Sequence, residues 1–130
     1  MKILDGTNAT LGRLASFAAK ESLKGEEIAV INCDKVIITG NKKDIQEEFL
    51  QKRRMVGTLQ VGPKYSRSTE KIVKRTIRGM LPKHKWGRGK EILKKIKCYN
   101  QVPKEFEGKE VIKFEDKTKN KHVSIKWVSK

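Results

Sequence analysis

The chain has 130 residues, with 31 Lys or Arg, 15 Asp or Glu and 2 His, for a formal net charge of +16. At this length one domain with a real core is expected, burying about two-thirds of the surface that the unfolded chain exposes. No stretch approaches the roughly 20 apolar residues of a membrane span, and residues 1–14 hold no apolar run of a secretory leader, so a soluble, cytoplasmic protein is expected.

Residues 2–5 are a short apolar-containing run ended by Gly6, which reads as a strand entering a turn. Leu11, Leu14, Ala15, Ala18 and Ser22 then recur at helical spacing, with Thr7 or Thr10 able to cap the start and Gly25 where the helix stops. Residues 28–31 and 36–38 are continuous apolar, β-branched runs that suit a sheet covered on both faces. Strand, helix, strand predicts a parallel unit with a right-handed crossover. A second helix is predicted over residues 42–55, with Asn41 near its cap and Ile45 and Phe49 facing inward. Gly57, Gly62 and Pro63 break any period in residues 56–68, a basic loop.

Residues 69–80 carry two stripes. Ile72, Val73, Thr76, Ile77 and Met80 form one, and Lys71, Lys74, Arg75 and Arg78 the other. At about 100° per residue they lie on opposite sides of a helix, one for the core and one presenting cations. Gly79 and Pro82 bracket its end. A basic turn over 83–89 leads to a short helix over 90–96, with Ile92, Leu93 and Ile96 inward, and residues 97–99 suit a strand. Residues 1–102 read as one α/β domain. Residues 103–130 read as a charged extension lying on or near its surface, in which 122–127 fit either a strand or a helical turn capped by Ser124.

The charge is segregated. Seventeen of the 31 Lys and Arg fall between Lys52 and Lys104, with Glu70 and Glu91 the only acids there, a net +15 against −1 for the first 51 residues and +2 for the last 26. A self-repelling block gains most from a polyanion whose condensed counterions it replaces, and such patches mark nucleic-acid binders. Catalytic motifs fail by comparison. Gly6-x5-Gly12 is neither a dinucleotide fingerprint nor a Walker loop, and Glu91 follows Gly87-Arg88-Gly89-Lys90 where a Walker loop needs Ser or Thr. Cys33 and Cys98, far apart in sequence, have no zinc-type spacing with His84 and His122 and read as buried thiols, so no metal and no cofactor are expected. Asp5 and Asp34 near strand ends fit caps or partners of Lys and Arg better than a carboxylate pair. Nothing groups a nucleophile with a base, so no catalytic residue is expected.

Residues 75–99 (RTIRGMLPKHKWGRGKEILKKIKCY), with VIITGNK at 36–42 and LGRLAS at 11–16, resemble the large-subunit ribosomal protein thirteen family. The RGMLPK run at 78–83 followed by a Gly-Arg element is its most specific part, and Gly62-Pro63 with Arg67-Ser68 resembles the archaeal and eukaryotic branch. The likeness covers about residues 1–102 and fades after Pro103. It implies a three-layer α/β/α fold with a four-stranded parallel sheet and no enzymatic activity. It also implies early binding to large-subunit ribosomal RNA beside other large-subunit ribosomal proteins. On that basis Arg13, Lys42, Arg53, Arg54, Lys64, Arg67, Lys74, Arg75, Arg78, Lys83, His84, Lys85, Trp86, Arg88 and Lys90 are the candidate RNA contacts. Trp86 fits either a stacking platform or a core edge, and Arg13 either a phosphate or a carboxylate on its own helix. Two other classes compete: an enzyme of nucleotide-type fold, which needs a clustered catalytic set, and a free-standing, non-specific nucleic-acid binder.

Overall fold

The computed structural model describes residues 1–55, 57, 64–83, 85–114 and 120–130. Strand β1 (Lys2–Asp5), helix α1 (Leu11–Leu23) and strand β2 (Ile28–Ile31) form the first unit. The two strands pair in parallel, Lys2 opposite Ile28 and Asp5 opposite Ile31. Helix α1 supplies the long crossover that parallel neighbours require. Leu14, Ala15, Ala18 and Ser22 form its buried face. It stops at Gly25, whose φ of +104° is open to glycine and costly to other residues.

After β2 the chain leaves the parallel sheet. Asn32 turns at φ +55°, a 3-10 turn spans Cys33–Lys35, and strand β3 (Ile37–Thr39) follows. The apolar run at 36–38 was expected in a sheet covered on both faces, and the structure places it outside the parallel sheet. Residues 32–36 are too few for a parallel crossover, so β3 pairs elsewhere, antiparallel with β6 (His122–Ser124), Ile37 opposite Ser124. The parallel sheet is completed instead by β4 (Ile96–Cys98) beside β2 and β5 (Ile112–Lys113) beside β1, in the order β4-β2-β1-β5.

Helices α2 (Lys42–Arg54), α3 (Thr69–Gly79), α4 (Arg88–Lys95) and α5 (Ile125–Val128) complete the chain. The fold is the three-layer α/β arrangement with a four-stranded parallel sheet. On one face Leu4, Val30 and Ile96 meet Leu14 and Ala18 of α1, Val73 and Ile77 of α3, Ile92 of α4 and Ile125 of α5. On the other, Ile3, Ala29 and Ile31 lie under Phe106 from a 3-10 turn at Lys104–Phe106, with the Tyr99 ring edge-on to Phe106 at 5.6 Å.

Four local expectations change. Residues beyond Pro103 do more than lie on the surface: they supply β5, β6 and α5 and bury Phe106, Val123, Ile125 and Val128. The 122–127 stretch is both alternatives in succession, a strand and then a helical turn after Ser124. Helix α2 buries no residue fully, and Ile45 and Phe49 are half-covered; at its start the Lys42 ammonium lies 4.3 Å from the Trp127 ring centre. Met80, past the end of α3, is 42% exposed, and Leu81 is buried in its stead. Among the described residues no helix is long and apolar enough to cross a membrane.

Val73 and Ile77 are wholly buried, each contributing about 1.5–3 kcal/mol by leaving water. Ile77→Ala is therefore expected to cost about 2–5 kcal/mol of unfolding free energy in a denaturant titration, through lost transfer energy and the cavity left behind. A second expectation concerns acid. Hydrogen bonds from Lys2 and Lys24 to the buried Glu21 carboxylate bring its pKa from 4.5 to about 2. A carboxylate depressed on folding stabilises the native state above its ordinary pKa and loses that contribution as pH falls from 4.5 toward 2. Thermal melts of Glu21→Gln should show a shallower decline than the parent across that window.

Candidate nucleic-acid interface

Helix α3 carries the site, and its start is held by side chains from two strand ends. The Thr69 hydroxyl lies 2.5 Å from Asp34 Oδ1 and 2.6 Å from Asn100 Oδ1, and the Glu70 N–H donates to Asn100 Oδ1 at 3.1 Å. Lys71 and Ile72 N–H groups both donate to the Ser68 carbonyl at 3.0 Å, which closes the first turn. With Thr69, Val73 and Ile77 buried, the opposite stripe of Lys71, Lys74, Arg75 and Arg78 must face outward.

That stripe forms one wall of an open groove of about 550 Å³, whose other sides come from Phe49 and Lys52 of α2, residues 64–66, and Leu93. Its cations are Lys52, Lys64, Lys71, Lys74, Arg75 and Arg78, and no acid among the described residues lines it. The Arg75 guanidinium stacks 3.7 Å from the Tyr65 ring centre, and its Nη1 donates to the Lys64 carbonyl at 3.3 Å. Arg75 thus ties the 64–66 segment to the helix while keeping its charge. Lys74 and Arg78 make no hydrogen bond or ion pair among the described residues. Phe49, Tyr65 and Ile72 add apolar surface between the charges.

The groove gathers four of the candidate residues: Lys64, Lys74, Arg75 and Arg78. A second group, Lys83, Lys85 and Trp86 in the turn between α3 and α4 with Lys90 at the start of α4, is exposed. Trp86 is 70% exposed, which rules out a core edge for it. Lys83 sits at φ +41°. A Cβ at Gly89 would stand 1.9 Å from the Pro82 carbonyl oxygen, so glycine is required to close the turn. Arg88 is partly engaged within the fold, its Nη2 donating at 3.0 Å to the carbonyl of Leu23, the last residue of α1. His84 lies outside the described residues, as does the Gly62-Pro63 element.

The remaining candidates stand apart. Arg13 is exposed on α1, Arg67 is exposed ahead of α3, and Lys42 covers Trp127. Arg54 lines a separate shallow depression with Lys43 and Leu50. Arg53 is half-buried, with Nη1 lacking a hydrogen-bond partner among the described residues. Lys52 and Lys71 belong to the groove and were not among the candidates. Lys71 lies on the cationic stripe itself, and Lys52 follows Phe49 by one helical turn, so the helical period was the signal for both. Tyr65 was missed as well; its signal was an aromatic residue set between Lys64 and Arg67.

Features that suggest chemistry elsewhere have structural uses. The Gly6 N–H donates to the Ile31 carbonyl at 2.9 Å, inside the fold. Burial raises the Asp5 pKa, but hydrogen bonds from Asn32 and Thr7, with Lys113 nearby, more than offset it, leaving the carboxyl below its ordinary value. Asp34 holds Thr69 and lies 4.0 Å from the Lys126 ammonium.

Comparison with known proteins matches this chain over nearly its full length. The sequence model described as Ribosomal protein L13 matches residues 1–105. Large ribosomal subunit protein uL13 of Thermoplasma volcanium is 41% identical over 125 residues, covering 96% of this chain and 90% of that protein. The protein of the same name from Methanocaldococcus jannaschii is 40% identical over 134 residues, covering 100% of this chain and 96% of the relative. That from Methanococcoides burtonii is 38% identical over 135 residues, with the same coverage. These relatives come from archaea, one of the two branches that Gly62-Pro63 with Arg67-Ser68 resembles, and carry the name of a ribosomal protein. Signature, sheet and full-length identity agree: the chain belongs to the ribosomal protein L13 family.

Proposed function

We propose that this protein is a structural constituent of the large ribosomal subunit that binds large-subunit ribosomal RNA through a basic surface centred on residues 52–104. The observation that carries this reading is the acid-free groove in which six cations from three separate segments converge around Tyr65 and Phe49. Cations with aromatic faces among them suit irregular, partly unstacked RNA, because the deep major groove of a regular RNA helix excludes side chains. The turn bearing Lys83, Lys85 and the exposed Trp86, with Lys90 at the start of α4, is the second contact. Its relatives' names support placement in the ribosome beside other large-subunit proteins. Early entry into assembly, which the family resemblance implies, is compatible with that surface, since a chain whose attachment is to RNA can bind before protein neighbours arrive. The protein should therefore co-sediment with large ribosomal particles at physiological salt. Release into the free fraction, with equal affinity for any duplex or single strand, would favour a non-specific binder instead.

Two measurements test the surface itself. If six to ten phosphates are met, affinity for the RNA should fall by about three to five decades between 50 and 200 mM salt, by analogy with duplex DNA. A nearly flat plot of log K against log salt would contradict the electrostatic reading. Lys74→Ala combined with Arg78→Ala is expected to leave stability within about 0.5 kcal/mol per site, as is usual for surface changes. The same pair should reduce the salt slope by about 1–2 and weaken RNA binding. Unfolding by this pair, with binding retained in the folded fraction, would place the contact surface elsewhere.

A further inference from the structure

Cys33 and Cys98 are remote in sequence, and the fold brings them together. Cys98 lies in β4 opposite Val30 of β2. Cys33 follows β2 after the left-handed turn at Asn32, which folds it back over the strand end, placing its Sγ 3.8 Å from the Val30 carbonyl oxygen. Backbone bonds clamp the two segments side by side: Cys33 N–H to the Tyr99 carbonyl at 3.1 Å, and Tyr99 N–H to the Val30 carbonyl at 2.8 Å. Both side chains belong to the helix-side core, and neither is in a disulfide. Cys33 is wholly buried, whereas Cys98 is half-exposed at the sheet's end.

We propose that Cys33 and Cys98 form a dithiol modification site that hydrogen peroxide converts into an intramolecular disulfide. The half-exposed Cys98 sulfur meets the oxidant first, attacking the peroxide O–O bond to give a sulfenic acid and one water. The Cys33 sulfur then attacks the Cys98 sulfur, the S–O bond breaks, and a second water leaves. Two thiols lose two electrons and two protons in all, and one peroxide becomes two waters. The order is consistent with the thiol environment, because the neighbouring Cys98 group and burial both push the Cys33 thiol above its ordinary range.

The bond would close around the seat of α3. Asp34 is adjacent to Cys33, and Asn100 is two residues beyond Cys98; these are the side chains that hold Thr69. Oxidation therefore cross-links the two strand ends from which the cationic helix starts, and it does so whether or not that helix binds RNA.

The purified full chain, treated with hydrogen peroxide and then unfolded in excess maleimide, tests this. The expected product is a monomer two hydrogens lighter, with neither thiol alkylated, one linked peptide pair containing Cys33 and Cys98, and reversal by dithiothreitol. The folded chain should form it roughly tenfold faster or more than the chain in urea, because the fold holds the sulfurs together. Its melting midpoint should rise by about 10 °C, since the bond closes a long loop. Alkylation of both thiols after peroxide, sulfinic acid on Cys98 beside a free Cys33, disulfide-linked dimers, or equal rates folded and unfolded would each overturn the proposal.

Discussion

The seat of α3 at Thr69 is the contact on which the outer surface depends. One hydroxyl lies between a carboxylate from the turn after β2 and an amide from the turn after β4. A hydroxyl has a single proton to donate, and the Asn100 oxygen also receives the Glu70 N–H. The seat therefore binds the helix start to two strand ends at once. Val73 and Ile77, buried one and two turns on, then fix the rotation of the helix about its axis. Position and rotation together oblige Lys71, Lys74, Arg75 and Arg78 to crowd on one side. The repulsion among them is a cost that the core beneath must offset, from a net folding stability of only about 5–15 kcal/mol in a typical domain.

The protein does not leave all its positive charge equally available. Lys2 and Lys24 converge on Glu21, Lys52 pairs with Glu48 one turn earlier, and Arg88 holds the end of α1. Arg75 keeps its charge but is stacked on Tyr65. These cations stiffen the frame or neutralise acids, whereas Lys74 and Arg78 have no such engagement among the described residues. Net charge alone overstates the number of cations that are open to a polyanion, and geometry separates the two kinds.

Much of this was legible before any coordinates. The spacing of Leu14, Ala15, Ala18 and Ser22 marks the buried side of α1, and the two stripes of α3 separate its core from its surface; both are local and periodic. The family resemblance rests on residues 75–99, and the full-length relatives agree with it. What could not be read depends on partners remote in sequence. A two-residue strand such as Ile112–Lys113 has no period, so the fourth place in the sheet was invisible, and composition alone could not tell that the 36–38 run leaves the parallel sheet. The Tyr65–Arg75 stack, the Leu23–Arg88 bond and the meeting of Cys33 with Cys98 are pairings between elements. Met80 fits the apolar stripe by angle, yet the helix ends before it, so its side chain escapes the core.

The late outer strand has a consequence for how the chain is made. Leu4 finds its sheet neighbour in Ile112, and the core is not sealed until Ile125 and Val128 arrive. Synthesis proceeds from the N-terminus, so β1 emerges first and its outer edge stays open until residues 112–113 emerge. Until then an unpaired edge and bare apolar side chains accompany a strongly cationic middle, in a setting crowded with polyanions. Long-range closure is intrinsically slow. The interval before closure is when the nascent chain is most exposed to mispairing.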